Sequence, residues 1–153
     1  MQIRKYKPSD VKQVAEVISS TFKKFNNKEG TEEAVNQYIK SYSPENDAKE
    51  LQNSFERTPI HFVAIDRSKI IGMIRGNKTR VVNLFVSGKY HGKGIGKNLL
   101  MTFERKAKKQ SSSFIKIRAS LYATPFYQNQ GYKKTTGIRN FMGLKVQPMI
   151  KKF

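Results

Sequence analysis

One stretch, Leu84 to Leu100, restricts the fold more than any other part of the chain. It opens as a short apolar β run, Leu84–Phe85–Val86, turns through Ser87–Gly88–Lys89–Tyr90–His91, and places glycine at 92, 94 and 96 before a helical pattern. A strand led through glycines into a helix N-terminus leaves backbone N–H groups unpaired. It also lets an anion approach closely and turns the positive end of the helix dipole toward it. The stretch therefore reads as the seat of a phosphate-bearing ligand. Spacing excludes two glycine-rich loops. A P-loop needs Gly-x-x-x-x-Gly-Lys-Ser/Thr, whereas Gly96–Lys97 is followed by Asn98 and preceded five residues back by His91. A dinucleotide fingerprint needs Gly-x-Gly-x-x-Gly, and after Gly92 and Gly94 the third glycine position is Lys97.

Composition bounds the ligand classes. A chain of 153 residues, 37% apolar, with 10 Phe and 7 Tyr, fits one folded domain over 1–153. The absence of Cys excludes disulfides, thiolate metal sites and thiol nucleophiles. Two histidines, His61 and His91, argue against a multi-histidine metal site. No apolar run approaches the roughly 18 residues of a membrane span, and Met1–Lys5 has no signal-peptide core. A soluble, cytoplasmic protein is expected. Its formal charge is +19. Such a charge keeps a lysine-rich chain soluble, and it also attracts polyanions or steers an anionic cosubstrate. The charge is segregated. Residues 26–57 hold seven acids and four bases, net −3, against +22 for the remainder.

The periodicities give an element order. Gln2–Lys5 is a strand, and Pro8–Ser9–Asp10 starts a helix with Ser9 at the N-cap and Val11, Val14, Ala15, Ile18, Phe22 and Phe25 on its buried face. A helix follows Thr31, a loop spans Ser41–Asp47, and Ala48–Phe55 forms a short third helix. Three strands, Ile60–Ile65, Ile70–Arg75 and Thr79–Val86, joined by turns at Asp66–Lys69 and Gly76–Lys78, make an antiparallel meander. Ile95 to about Gln110 is a helix, and Phe114–Ala119 a strand that a helical crossover sets parallel to the earlier one. Ala123–Gln130 is a helix closed by Gly131, and Tyr132–Thr136 and Leu144–Lys151 are final strands about a Gly137–Gly143 loop.

Two blocks resemble the GNAT superfamily of N-acetyltransferases. Val86-x-x-x-x-His91-Gly92-x-Gly94-x-Gly96 is similar to its signature of a strand-ending Val, four residues, Gln or Arg, then Gly/Ala at alternate positions. Ser120-x-x-Ala123-x-x-Phe126–Tyr127-x-x-x-Gly131–Tyr132 is similar to its second block. His91 replaces the usual Gln or Arg, and Ser120 the common Asn. The resemblance implies an α+β fold of three layers: a mixed, mostly antiparallel six- to seven-stranded sheet, helices on both faces, and splayed central parallel strands.

The resemblance also implies direct acetyl transfer from acetyl-CoA, the cosubstrate, to an amine acceptor. Cofactor-binding residues would be Leu84, Phe85 and Val86 along the pantetheine arm, Gly92, Lys93, Gly94, Ile95, Gly96 and Lys97 around the pyrophosphate, and also His91 and Ser120. Lys93 and Lys97 read equally well as ordinary solvated lysines. A backbone N–H near Phe85 or Val86 would stabilise the oxyanion, and one such donor is worth roughly 3 kcal/mol. Tyr127 stands at the position of the general acid for the leaving thiolate. The acceptor loses a proton before attack, yet Arg80–Val81–Val82–Asn83 offers no carboxylate. Glu29, Glu32, Glu33, a water chain near Asn83, or His61 are the alternatives for a base. The acidic segment lies where this family builds its acceptor surface, which suggests a cationic acceptor, a small molecule or a peptide. A homodimer is compatible with the resemblance, and no stretch locates its interface. The competing readings are a non-catalytic acetyl-CoA-binding protein and a basic nucleic-acid-associated protein. Lys116 and Arg118 are too isolated to favour specific nucleic-acid binding.

Overall fold

Apolar periodicity sets the elements over residues 1–153, all described by a computed structural model. The strands are β1 (Gln2–Lys5), β2 (Ile60–Asp66), β3 (Lys69–Asn77), β4 (Arg80–Val86), β5 (Phe114–Ser120), β6 (Lys133–Lys134), β7 (Arg139–Phe141) and β8 (Leu144–Lys152). The helices are α1 (Val11–Phe25), α2 (Glu32–Ser41), α3 (Ala48–Glu56), α4 (Ile95–Lys109) and α5 (Thr124–Asn129). Together the strands form one sheet in the order β1-β2-β3-β4-β5-β8-β6, with β7 also on β8. Every pairing is antiparallel except β4 with β5. The mixed sheet with its parallel centre matches the expected class. Its eighth strand, β7, falls inside the stretch read as a Gly137–Gly143 loop: Arg139–Phe141 folds back on β8 through Met142 and Gly143, both at positive φ.

Each sheet face buries its own core. On one side α4 and α5 cover Ile60, Ile71, Ile74, Ile115 and Met149 with Leu99, Leu100 and Phe103. On the other, α1 and α3 cover Val63, Ile70 and Met73 with Val14, Ile18, Leu51 and Phe55. Strand β3 is thus buried on both faces, which explains its unbroken run Ile70–Arg75. Thr31 caps α2, its hydroxyl accepting from Ala34 N–H.

Two local expectations change. Ser9 does not cap α1. A 3-10 turn, Pro8–Asp10, precedes that helix, and the Asp10 carboxylate accepts from Lys7 N–H at 2.9 Å while pairing with Arg4 at 2.7 Å. Gly76 is not in a turn. It lies inside β3 opposite a bulge, where Arg75 faces Asn83 and Gly76 faces Val81, leaving Val82 as the extra residue of β4. A Cβ on Gly76 would stand 2.0 Å from the Arg80 carbonyl oxygen, so only glycine fits there.

Candidate active site

The bulge at Val82 bends β4, and parallel pairing with β5 stops there: only Arg80–Lys116 and Val81–Ile117 are in register. Beyond them β4 stays on β3 as far as Val86, while β5 stays on β8 as far as Ser120. The two strands open into a V. Ser87 N–H donates to the Ile71 carbonyl at 2.8 Å, which fixes the alternation along β4. Phe85 therefore turns its N–H to β3, whereas the N–H groups of Leu84 and Val86 face the open cleft. Of the two oxyanion donors expected from sequence, Val86 alone has the required direction. The residue types alone carry no sign of this, since it depends on register.

After β4 the chain makes a short 3-10 turn, Gly88–Tyr90, and enters α4 through Gly92 (φ +75°) and Gly94 (φ +80°). A Cβ at either would meet nothing within 4 Å, so backbone conformation, not crowding, calls for glycine. Gly96 differs: a Cβ there would make ordinary contact with the Phe126 ring, at 3.5 Å, and with Val86 Cγ2, at 3.8 Å. The N–H groups from Gly92 through Lys97 make no hydrogen bond within the protein, and Asn98 N–H to the Gly94 carbonyl is the first bond of the helix. Six free donors at the positive end of a 15-residue helix fit a pyrophosphate. Lys93 and Lys97 are exposed beside them. His91 closes the turn, its Nε2–H donating to the Val86 carbonyl at 2.5 Å, and its ring packs on Phe25, which Tyr122 also flanks.

A cavity of about 780 Å³ fills the V. Leu84, Phe85, Ala119, Ser120, Ala123 and Tyr127 line it on the strand side, and α2 and the β7–β8 turn line it opposite. The glycine turn lies outside, at the mouth of the cleft. Tyr127 is 4% exposed, edge-on to Phe126 and Tyr132, and its hydroxyl has no partner in the protein. Burial pushes its phenol well above the ordinary value of 10.

Residues 12–153 match the sequence profile of the acetyltransferase (GNAT) domain. The chain belongs to the GNAT family of acetyltransferases. No curated protein matches it closely enough to report. Among solved structures, a GCN5-related N-acetyltransferase from Rhodopseudomonas palustris superposes with a TM-score of 0.87 at 17% identity, over 99% of this chain and 95% of that one. The PaiA N-acetyltransferase from Thermoplasma acidophilum, solved with coenzyme A, gives 0.75 at 24% identity over 99% and 98%. The aminoglycoside 6'-N-acetyltransferase from Enterococcus faecium gives 0.72 at 17% over 99% and 97%. These similarities establish the GNAT fold. Family membership makes acetyl-CoA the cosubstrate. No helix is long and apolar enough to cross a membrane.

Within the GNAT frame several expected residues have other occupations. Ser120 lines the cavity, but its hydroxyl accepts from Ala123 N–H at 3.1 Å and caps the turn into α5. Glu29 holds the N–H groups of Leu121 and Tyr122 at 2.8 and 3.1 Å, which ties the α1–α2 loop to the end of β5. It is thus a clasp across the cleft. Glu33 is exposed at the cavity wall, and Glu32 does not reach it. His61 sits apart, in a smaller depression with Tyr6 and Gln52. The acidic segment makes no acidic wall: only Glu29 and Glu33 of its seven acids line the cavity, where Arg80, Arg118 and Lys145 outnumber them. The remaining acids point elsewhere on α2, α3 and their loop.

A polar cluster escaped the sequence reading. Arg75, 4% exposed, donates from Nε to Asn83 Oδ1 at 2.6 Å, from Nη1 to Thr58 Oγ1 and the Ser54 carbonyl, and from Nη2 to the Tyr42 hydroxyl at 2.9 Å. Its guanidinium also lies over the Phe55 and Tyr42 rings. Asn83 Nδ2 in turn donates to the Tyr38 hydroxyl at 2.9 Å. The one available signal was an Arg in a strand otherwise apolar from Ile70 to Ile74.

Proposed function

We propose that this GNAT protein is an N-acetyltransferase that moves an acetyl group from acetyl-CoA directly to an amine. The observation that carries this reading is the pairing of two features at one cleft: six unpartnered N–H groups at Gly92–Lys97, and the free hydroxyl of Tyr127 inside the V. Gly92–Lys97 would hold the pyrophosphate, with Lys93 and Lys97 adding charge. The cleft-facing N–H and carbonyl of Leu84 would pair with the amides of the pantetheine arm, as an added strand would. Val86 N–H then faces the thioester carbonyl and stabilises negative charge that builds there, worth roughly 3 kcal/mol for one well-placed donor.

Tyr127 acts on the sulfur side. Its raised phenol keeps its proton at any working pH, so it serves the departing thiolate as a hydrogen-bond donor and yields the proton only as full negative charge develops. The amine nitrogen bonds to the carbonyl carbon, the C–S bond breaks, and the proton lost by nitrogen replaces the one Tyr127 supplies to sulfur. The test is coenzyme A release and acetyl-product mass across a panel of amines. Turnover of at least one amine with matched coenzyme A and product supports the reading. Tight acetyl-CoA binding with no turnover of any amine overturns it in favour of a binding protein.

A further inference from the structure

The Arg75 cluster fixes the polarity of the acceptor side of the cavity. Arginine has donors only, so Asn83 must present Oδ1 to it and Nδ2 away from it. The Tyr38 oxygen therefore accepts from Asn83, and the Tyr42 oxygen accepts directly from Arg75. Each hydroxyl is left with its own hydrogen, and neither hydrogen has an acceptor in the protein. Both tyrosines line the cavity, one turn apart at the end of α2.

Two O–H donors thus point their unmet demand at the acceptor space, backed by a buried cation that no carboxylate neutralises. The chain's ion pairs are Arg4–Asp10 and Lys151–Glu104. Arg80, Arg118 and Lys145 line the same cavity, also without ion-pair partners. Burial foremost pushes the Tyr38 phenol up, which keeps it a donor. A cavity with this charge and donor set is suited to oxygen atoms carrying negative charge.

We propose that the acceptor is an amine that also carries an oxyanion, which seats on the Tyr38 and Tyr42 hydroxyls while its amino group reaches the thioester. The proposal rests on the N-acetyltransferase reading above, and it names the substrate class of that site. Arg75 is a positioning residue here, because it acts through Asn83 and Tyr42.

The test uses matched pairs: L-phenylalanine with L-phenylalaninamide, glycylglycine with its amide, and phosphoethanolamine with ethanolamine. Coenzyme A release is measured with the wild type, Tyr42→Phe and Tyr38→Phe. The expected result is a kcat/KM, reckoned per neutral amine, at least about tenfold higher for the anionic member of a pair, carried by KM, since a hydrogen bond to a charged group is worth about that much. The carboxylate and phosphate arms tell the two sources of the oxyanion apart. In each variant the preference falls by about tenfold. Equal or better turnover of the uncharged members, per neutral amine, overturns the proposal, as does a variant that lowers kcat alike for both members. If no amine is turned over, the N-acetyltransferase reading has failed by itself. Calorimetric titration of the same pairs then decides the proposal: tighter binding of the anionic members, lost in Tyr42→Phe, supports it, and equal binding overturns it.

Discussion

His61 connects burial to a measurable pH dependence. Its ring is 7% exposed, stacks on Tyr6 with centroids 4.0 Å apart, and meets Phe55 edge-on. Neither ring nitrogen has a partner. Burial, and then the Arg75 charge, push the imidazole down to about 3 from its ordinary 6.5, with Asp10 opposing. The folded protein therefore keeps this ring neutral, whereas the unfolded chain takes up a proton as pH falls through 6.5. The stability attached to the neutral ring is complete above the unfolded value and is lost as pH drops from there toward 3. Within that window the slope approaches about 1.4 kcal/mol per pH unit, and integration from pH 7 to pH 5 gives about 2 kcal/mol. For a chain of this size that is a fall in Tm of about 4–8 °C.

The comparison is thermal unfolding at pH 7 and pH 5 of the wild type and His61→Phe, in which the ring stack is kept and the titration removed. The wild type should lose about 4–8 °C more than the variant. Asp10 does not confuse the result. Burial raises its carboxyl, but Arg4 and the Lys7 N–H outweigh that and hold it below 3.8, so its share of stability is lost only at lower pH. Equal losses in the two proteins would refute the assignment of a neutral, unpaired ring to this site.

Four substitutions test the cleft and the elements that shape it. Tyr127→Phe should lower kcat by about a hundredfold with the KM for acetyl-CoA changed less than about threefold, measured by steady-state coenzyme A release. Gly76→Ala sets a Cβ 2.0 Å from a backbone oxygen opposite the bulge, and should destabilise the fold by about 2 kcal/mol or more in denaturant titration. Gly94→Ala meets no atom within 4 Å but must hold φ near +80°, at about 1–2 kcal/mol, and should weaken acetyl-CoA binding by calorimetry. Gly96→Ala, whose Cβ makes only ordinary contact with Phe126 and Val86, should leave stability nearly unchanged.

The parts of this site that were legible in the sequence are the local ones. Alternate glycines before an amphipathic helix reveal the N–H cluster at 92–97, because every group in it lies within a few residues of the next. Tyr127 was visible through its block with Ala123, Phe126 and Gly131. What escaped depends on distant pairs. The Val82 bulge exists only in the register of β4 on β3. The donor chain joins Arg75 to residues 17 to 33 positions earlier in sequence, and Asn83 to Tyr38 across 45. Glu29 looked like a free carboxylate until its partners, 92 and 93 residues on, were in view. Strand β7 was hidden because its three residues are all exposed, so no apolar alternation marks it.

In the proposed reaction, these occupations decide how the acceptor loses its proton. Glu29 is committed to two backbone N–H groups, Tyr127 holds its proton, and Tyr38 and Tyr42 are turned as donors. Glu33, the other cavity carboxylate, stands exposed at the wall. No group inside the V is placed to take a proton from an ammonium ion, so the amine must enter the reaction already neutral, its proton gone to water. The rate then follows the acceptor's own ionisation. A peptide α-amine with pKa near 7.7–8.0 is roughly 9–17% neutral at pH 7, and a lysine-like amine with pKa near 10.4 only about 0.04%, so equal binding would leave their kcat/KM values apart by more than two orders of magnitude. For the more basic amine, kcat/KM should rise about tenfold per pH unit from pH 7 to pH 9, and the inflection should move with the amine from one acceptor to the next. Profiles of two acceptors of different pKa check this. A common inflection below pH 7 for both would show that the protein supplies a base, and would remove the assignment of Glu29 as a clasp alone.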